Sequence, residues 1–242
     1  MKKITKKASL TLFIMMCIMF SLVAQNNQST ISGSGPKVTK TLNLKDFTGF
    51  SLAVSGKVYL KQGNTQSVTI EAQQNIIDNI LTEVNNKHWQ IKFDKRVRRH
   101  DGIKIWITIP TLTKAIISGS GDIIGESAFT DLKNLQLVIS GSGNTNLEVE
   151  AEQIEGTVSG SGDITLRGSA QSFEISISGS GDCKAVDLKT AHCKISVSGS
   201  GDCKVYVTDT LDVQLSGSAD VRYKGTPKVN SRVAGSGSVR SL

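Results

Sequence analysis

One pentapeptide constrains this chain more than any other feature of it. Ser-Gly-Ser-Gly-Asp stands at Ser118–Asp122, Ser159–Asp163, Ser178–Asp182 and Ser198–Asp202, with near-copies at Ser140–Asn144, Ser216–Asp220 and Ala234–Ser238. Successive starts are 22, 19, 19, 20, 18 and 18 residues apart. A period this regular marks a repeat architecture, in which one unit cannot bury its apolar face alone and stacks on the next.

Aligned on the first Ser, the preceding column reads Ile117, Ile139, Val158, Ile177, Val197, Leu215 and Val233. The position between that column and the next apolar one is polar in most copies. Apolar residues recur two and four places earlier, as in Leu135 and Leu137 or Phe173 and Ile175. After Asp the same alternation resumes, with Ile123, Ile164, Cys183, Cys203 and Val221 inward. Period-2 alternation is the mark of a strand with one buried face. Parity carried through the motif puts both Gly inward and Ser, Ser and Asp outward, so that two strands meet at a corner too narrow for inward side chains. Ala219 replaces the second Gly once, so that position does not need positive φ. The predicted fold is all-β: a right-handed parallel β-helix, or solenoid, of about 18–22 residues per coil with a less regular N-terminal β-region. Coils would stack at the usual strand spacing, about 4.8 Å. An antiparallel meander or sandwich is the alternative; like columns would not stack in it.

Four stretches follow from this reading. Residues 1–24 read as a signal peptide: Lys2, Lys3, Lys6 and Lys7, then an apolar run from Leu10 to Val23 too short for a comfortable membrane span. Residues 25–36, rich in Asn, Gln, Ser and Gly, read as a flexible leader. Residues 37–117 form the irregular β-region, with Ser55-Gly56-Lys57 as a worn corner, an ambiguous stretch at Asn75–Val84, and a clear strand through Ile103, Ile105, Ile107 and Ile109. Residues 118–242 form the regular solenoid. Removing residues 1–24 takes away four Lys and no acid, so the net charge drops from +7 to +3, 24 basic against 21 acidic residues. That balance gives no case for nucleic acid.

The leader, the irregular strand region ending in Ile107-Thr108-Ile109-Pro110 and the recurrent Ser-Gly-Ser-Gly-Asp resemble the family called putative auto-transporter adhesin, head GIN domain. The resemblance runs from about Val38 to Val239. It implies a β-helical exported protein of the bacterial cell envelope with an adhesin-like role. No set of alternating strands of about ten residues, as an outer-membrane barrel needs, follows the repeats. That argues against self-translocation.

The outward acids Asp122, Asp163, Asp182, Asp202 and Asp220, with Asn144 among them, are the first surface candidates. A row of carboxylates about 5 Å apart is a pattern that would bind Ca²⁺, a hard cation that takes oxygen ligands. The calcium solenoids, however, use a nine-residue repeat of different spacing. The plainer reading is Asp capping its turn. Acid pairs on one face of a β-helix also suit polysaccharide cleavage, but a catalytic group belongs to one coil and breaks the repeat, whereas these acids recur with it. His88, His100 and His192 stand in no metalloprotease motif, and Ser lies in no nucleophile elbow. Lys95, Arg96, Arg98, Arg99 and His100 form a basic knuckle suited to anionic glycans or lipid head groups, or to solvent alone. Cys183, Cys193 and Cys203 fall in inward columns and read as small core residues. Directly stacked Cys183 and Cys203 would have Cβ atoms wider apart than the roughly 3.8 Å of a disulfide.

The sequence therefore predicts an exported, non-catalytic β-solenoid, with neither catalytic residue nor cofactor, offering an adhesin-like or structural surface in the periplasm or at the outer cell surface. A glycan or protein at the cell surface is the expected partner. Association through the solenoid ends is possible in this architecture, since no cap is evident near Leu242. A polysaccharide-active enzyme and a calcium-stiffened solenoid are the alternatives.

Overall fold

A computed structural model describes residues 30–242. The signal-peptide reading of 1–24 lies outside these residues. The chain runs through β1 (Ile31–Ser32), β2 (Lys37–Leu42), β3 (Gly49–Leu52), β4 (Lys57–Gln62) and β5 (Ser67–Gln73). One helical turn, α1 (Gln74–Ile77), resolves part of the ambiguous stretch by burying Ile76 and Ile77. Then come β6 (Val84–Asn85), β7 (His88–Ile91), β8 (Val97–Arg99) and β9 (Lys104–Ile109). The regular part is β10 (Lys114–Gly119), β11 (Asp122–Gly141), β12 (Asn144–Gly160), β13 (Ile164–Gly179), β14 (Cys183–Gly199) and β15 (Cys203–Gly217), followed by β16 (Asp220–Lys224), β17 (Lys228–Gly235) and β18 (Ser238–Ser241).

The regular strands pair in parallel with the repeat columns in register. Ile117 lies beside Ile139, then Val158, Ile177, Val197, Leu215 and Val233. Beyond the motif, Ile123 lies beside Thr145, then Ile164, Cys183, Cys203, Val221 and Val239. The fold is a β-solenoid, because equivalent side chains sit directly above one another. Period-2 alternation then delivers every apolar column to one continuous core, from Phe47 to Val221. Where Gly156 leaves that core short of a side chain, Ile175 of the next coil fills the gap: a Cβ on Gly156 would run into its Cδ1.

The corner departs from the parity reading in one respect. The second Gly is buried except at Gly237 in the last copy, which is half-buried; the first is half-buried or exposed and in a left-handed conformation, with φ between +122° and +134° at Gly119, Gly141, Gly160, Gly179, Gly199, Gly217 and Gly235. At the second Gly the expected inward crowding is present, since a Cβ on Gly181 would meet Val158 Cγ1 at 2.8 Å, but the coil beneath crowds both positions. A Cβ on Gly179 would strike the carbonyl of Gly160, and one on Gly181 that of Gly162. The backbone of the coil beneath leaves no room.

The region before β10 is part of the same stack, in a different chain order. β3 pairs with β10, and β4 with the start of β11, so residues 53–56 occupy the corner taken by 118–121 one coil above. β7 then pairs with the other edge of β3, and β9 with the other edge of β4. The chain thus builds the second-lowest coil first, drops to the lowest, and climbs to the third. Antiparallel strands close the bottom: β5 covers β9, β2 covers β5, and β6 covers β7. Trp89 is fully buried there, its indole N–H donating to the Leu81 carbonyl at 2.9 Å. Residues 25–29 of the leader lie outside the described residues. From residue 30 it is held to this end, because β1 pairs with β8 and Asn75 clasps it, accepting from Ser34 N–H and donating to Ser32 C=O.

Candidate functional site

The five predicted acids come together in one outward row, and their carboxylates have a defined partner. Asp163 Oδ1 accepts the backbone N–H of Asp182 at 3.0 Å, Asp182 Oδ1 that of Asp202 at 3.0 Å, and Asp202 Oδ1 that of Asp220 at 2.8 Å. Below them, Asp122 Oδ1 accepts from both N–H and side-chain amide of Asn144, whose own Oδ1 accepts from Asp163 N–H. At the top, Asp220 accepts the N–H and hydroxyl of Ser238. The Ser238 hydroxyl, foremost, lowers the Asp220 pKa below the ordinary carboxylate value. Each acid therefore caps the corner of the coil above, not its own. The motif places a carboxylate where a corner leaves an N–H to be satisfied, and the stack supplies the N–H one repeat later.

The second oxygen meets cations over part of the row. Lys184 Nζ lies 2.6 Å from Asp163 Oδ2 and 4.0 Å from Asp182 Oδ2, and the bond to Asp163 raises the lysine pKa. Lys184, Lys204, Arg222 and Arg240 form a neighbouring outward column, two residues along from the acids. Both partners being part-exposed, such a pair is worth less than about 1 kcal/mol. Among the described residues, no cluster of three or more His, Cys, Asp or Glu has the arrangement of a metal site. Cys183, Cys193 and Cys203 are buried and free. Cys183 and Cys203 stack in register; the contact with Cys203 and then burial push the Cys183 thiol well up, and burial does the same to Cys193.

Followed downward, the acidic row changes sign. Below Asp122 the same column continues as Lys57 and then Lys104. In the lowest coil the corner also changes: residues 92–103 span what 53–56 and 118–121 span above. This longer excursion carries the whole basic knuckle, and β1 anchors it, Arg96 C=O accepting from Ile31 N–H and Arg99 C=O from Gly33 N–H at 2.9 and 2.8 Å. Between the excursion and the corners above it opens a groove of about 750 Å³. Lys37, Lys57, Arg98, Arg99 and Lys104 line it; Phe93 and Val97 add apolar floor, and Asp122 is the one carboxylate among its described lining residues. Burial lowers the His100 pKa, so the ring at this edge is neutral at neutral pH. Two residues farther out on the same face, Tyr59 and Trp106 stack at 5.4 Å between ring centroids and 15° between planes, both half-buried. The knuckle was visible in the sequence; its meeting with Lys57, Lys104 and the aromatic pair was not, because nothing local says that β9 lies beneath β4.

Comparison with known proteins agrees with this architecture. The family described as "Putative auto-transporter adhesin, head GIN domain" matches residues 46–227. No curated protein matches the chain. Among solved structures, a putative adhesin from Bacteroides fragilis is 27% identical with a TM-score of 0.83, over 88% of this chain and 100% of the other. A putative adhesin from Parabacteroides merdae is 20% identical with a TM-score of 0.72, over 88% and 99%. A putative lipid binding protein from Parabacteroides distasonis is 21% identical with a TM-score of 0.73, over 88% and 100%. The last two speak to the fold alone.

Proposed function

Since this chain belongs to the putative auto-transporter adhesin, head GIN domain family, we propose that it is an exported, non-catalytic β-solenoid of the bacterial cell envelope that presents a binding surface to glycans or proteins. The observation that carries this reading is the use made of the repeated acids. Each is committed to the backbone of the next coil, so the feature that most suggested hydrolysis or calcium serves the frame. A stack joined both by strand pairing and by this side-chain ladder is a stiff rod, suited to holding a site away from its anchorage. The N-terminal lysines followed by an apolar run support export.

Two measurements test it. Protease should degrade the full chain in intact cells or once the outer membrane is permeabilised; a chain protected until the cytoplasm is opened argues against export. Incubation with panels of glycans and matrix proteins should give retention without product. Turnover of any polysaccharide, with loss of activity in Asp163→Asn and Asp182→Asn, would replace the binding role with an enzymatic one.

A further inference from the structure

We propose that the groove at the lowest corner is a site for a carboxylate- or sulfate-bearing glycan. Arg98, Arg99, Lys57 and Lys104 would take its acid groups, and the Tyr59–Trp106 pair would flank the sugar that follows. This deepens the binding role proposed above and rests on it. Four observations lead here.

The repeat is broken at this corner. Other corners of the stack use four residues, as at 53–56 and 118–121, whereas this one uses 92–103. In stacked repeats, an insertion into a turn maps to a loop on one face, often the binding face. To the core it adds Ile103, at its end just before β9, and the partial burial of Phe93 and Val97.

Cations outnumber acids in this groove: Asp94 and Asp101 belong to the same excursion but do not line it, and Asp101 accepts from Gln73 Nε2 at 3.0 Å. Among the described residues Lys37, Lys57, Arg98 and Arg99 form no ion pair, and Lys104 reaches Glu71 only at 3.5 Å. Asp122, across the groove, is already engaged by Asn144. The cationic column at the other end differs: Lys184 has a carboxylate at 2.6 Å and another at 4.0 Å, and Arg222 and Arg240 face Asp220. An anion gains most where cations converge on a concavity without acids of their own.

Size and lining agree. A volume of about 750 Å³ is within the usual range for a small-molecule site, roughly 300–1,000 Å³. Tyr59 and Trp106 follow Lys57 and Lys104 on the same face, about 7 Å on at ordinary strand rise. An extended chain entering the groove would run past cations and then past aromatic rings, the order in which an acidic sugar polymer offers charge and apolar C–H faces.

The surroundings disfavour a membrane. Large exposed apolar side chains among the described residues are Val229, Val233 and Leu242, at the opposite end of the stack. Seating on an anionic lipid surface would be strengthened by such residues beside the cations.

The test is calorimetric titration of the protein with oligogalacturonate, heparin oligosaccharide and neutral dextran, at low and raised salt. At least one of the two acidic probes should bind, weaken as salt rises, and lose about tenfold or more in affinity in Arg98→Ala/Arg99→Ala. Both arginines are exposed in the insertion, and an unchanged melting curve will show the fold kept. Lys184→Gln/Lys204→Gln should bind as wild type, and dextran should not bind. Equal binding by the Arg98/Arg99 variant overturns the site, as does equal loss in the Lys184/Lys204 variant. So does binding of phosphatidylglycerol vesicles without binding of either acidic oligosaccharide. If the protein retains another glycan or a matrix protein but neither acidic probe, this site falls and the wider binding role stands. Retention of no probe removes both.

Discussion

At the bottom of the stack, β9 and β7 are each covered by an antiparallel strand; at the top, among the described residues, nothing pairs with the outer edges of β17 and β18. The consequence shows in equivalent side chains. Val233 continues the column of Ile177, Val197 and Leu215, yet is 41% exposed where they are buried, and β17 is exposed along its whole length. Trp89, on β7 of the lowest coil, is fully covered. A column position assigns which way a side chain points. Whether it is dry depends on having a coil on both sides. The bottom is closed because the chain turns back on itself, and antiparallel strands leave no parallel edge free to template another coil.

The same contrast orders the expected effects of substitution. The largest separates a corner with a coil tightly beneath it from one without. Gly119 and Gly179 share a left-handed φ, +122° and +128°, but a Cβ on Gly119 meets nothing within 4 Å while one on Gly179 strikes the Gly160 carbonyl. Gly119→Ala should cost about 1–3 kcal/mol of backbone strain. Gly179→Ala should cost more, about 4 kcal/mol or beyond. Equal costs in denaturant unfolding would mean that the stack does not crowd its own corners.

Next come the two ends. Trp89→Ala removes a fully buried ring and its bond to Leu81, and should cost about 3–5 kcal/mol. Val233→Ala should stay within about 0.5 kcal/mol. A large loss at Val233 would show that the top coil is covered in solution and that the apparent asymmetry is wrong.

The acid ladder is a smaller lever. Asp182→Ala strips Asp202 N–H of its acceptor and should cost about 1 kcal/mol. Asp182→Asn should restore most of it, because Asn144 already fills the same role with an amide oxygen. If Asn and Ala prove alike, the carboxylate acts through its charge and not as a cap.

The smallest effect is a pH dependence confined to the bottom. Burial lowers the pKa of His88 and of His100 from the ordinary 6.5. The folded chain then holds these protons less well than the unfolded one, so their contribution is complete above pH 6.5 and is lost as pH falls through the folded values. Hydrogen exchange should show β7 and the 92–103 excursion loosening between neutral and mildly acid pH, with β13 and β14 unchanged. Loosening that starts in the regular coils would contradict this.

Much of the regular fold was legible because its information is local. Alternation in Phe173, Ile175 and Ile177, or in Leu211, Val213 and Leu215, states which face is buried, and the motif spacing states how far apart the corners fall. The acids' partners were less legible: Asp163 lies 19 residues from the N–H it satisfies, and its own turn was the nearer guess. The role of the first Gly was misread, though a signal was present. It is Gly in every copy, while the second is once Ala219.

Taken alone, the sequence determined the strand periodicity and the glycine corners, because these follow from side-chain parity and backbone sterics within one repeat; its fixed period favoured parallel registration of like columns over an antiparallel meander, and the structure decided it. Only the tertiary structure decided that 88–109 lies beneath 49–62, that antiparallel strands seal that end, and that the basic excursion opens toward Lys57, Lys104 and the Tyr59–Trp106 pair. The physical reason is that strand pairing is made by backbone groups common to every residue. Where the repeat has worn away, no side chain labels the partner, and burial of the whole core chooses it.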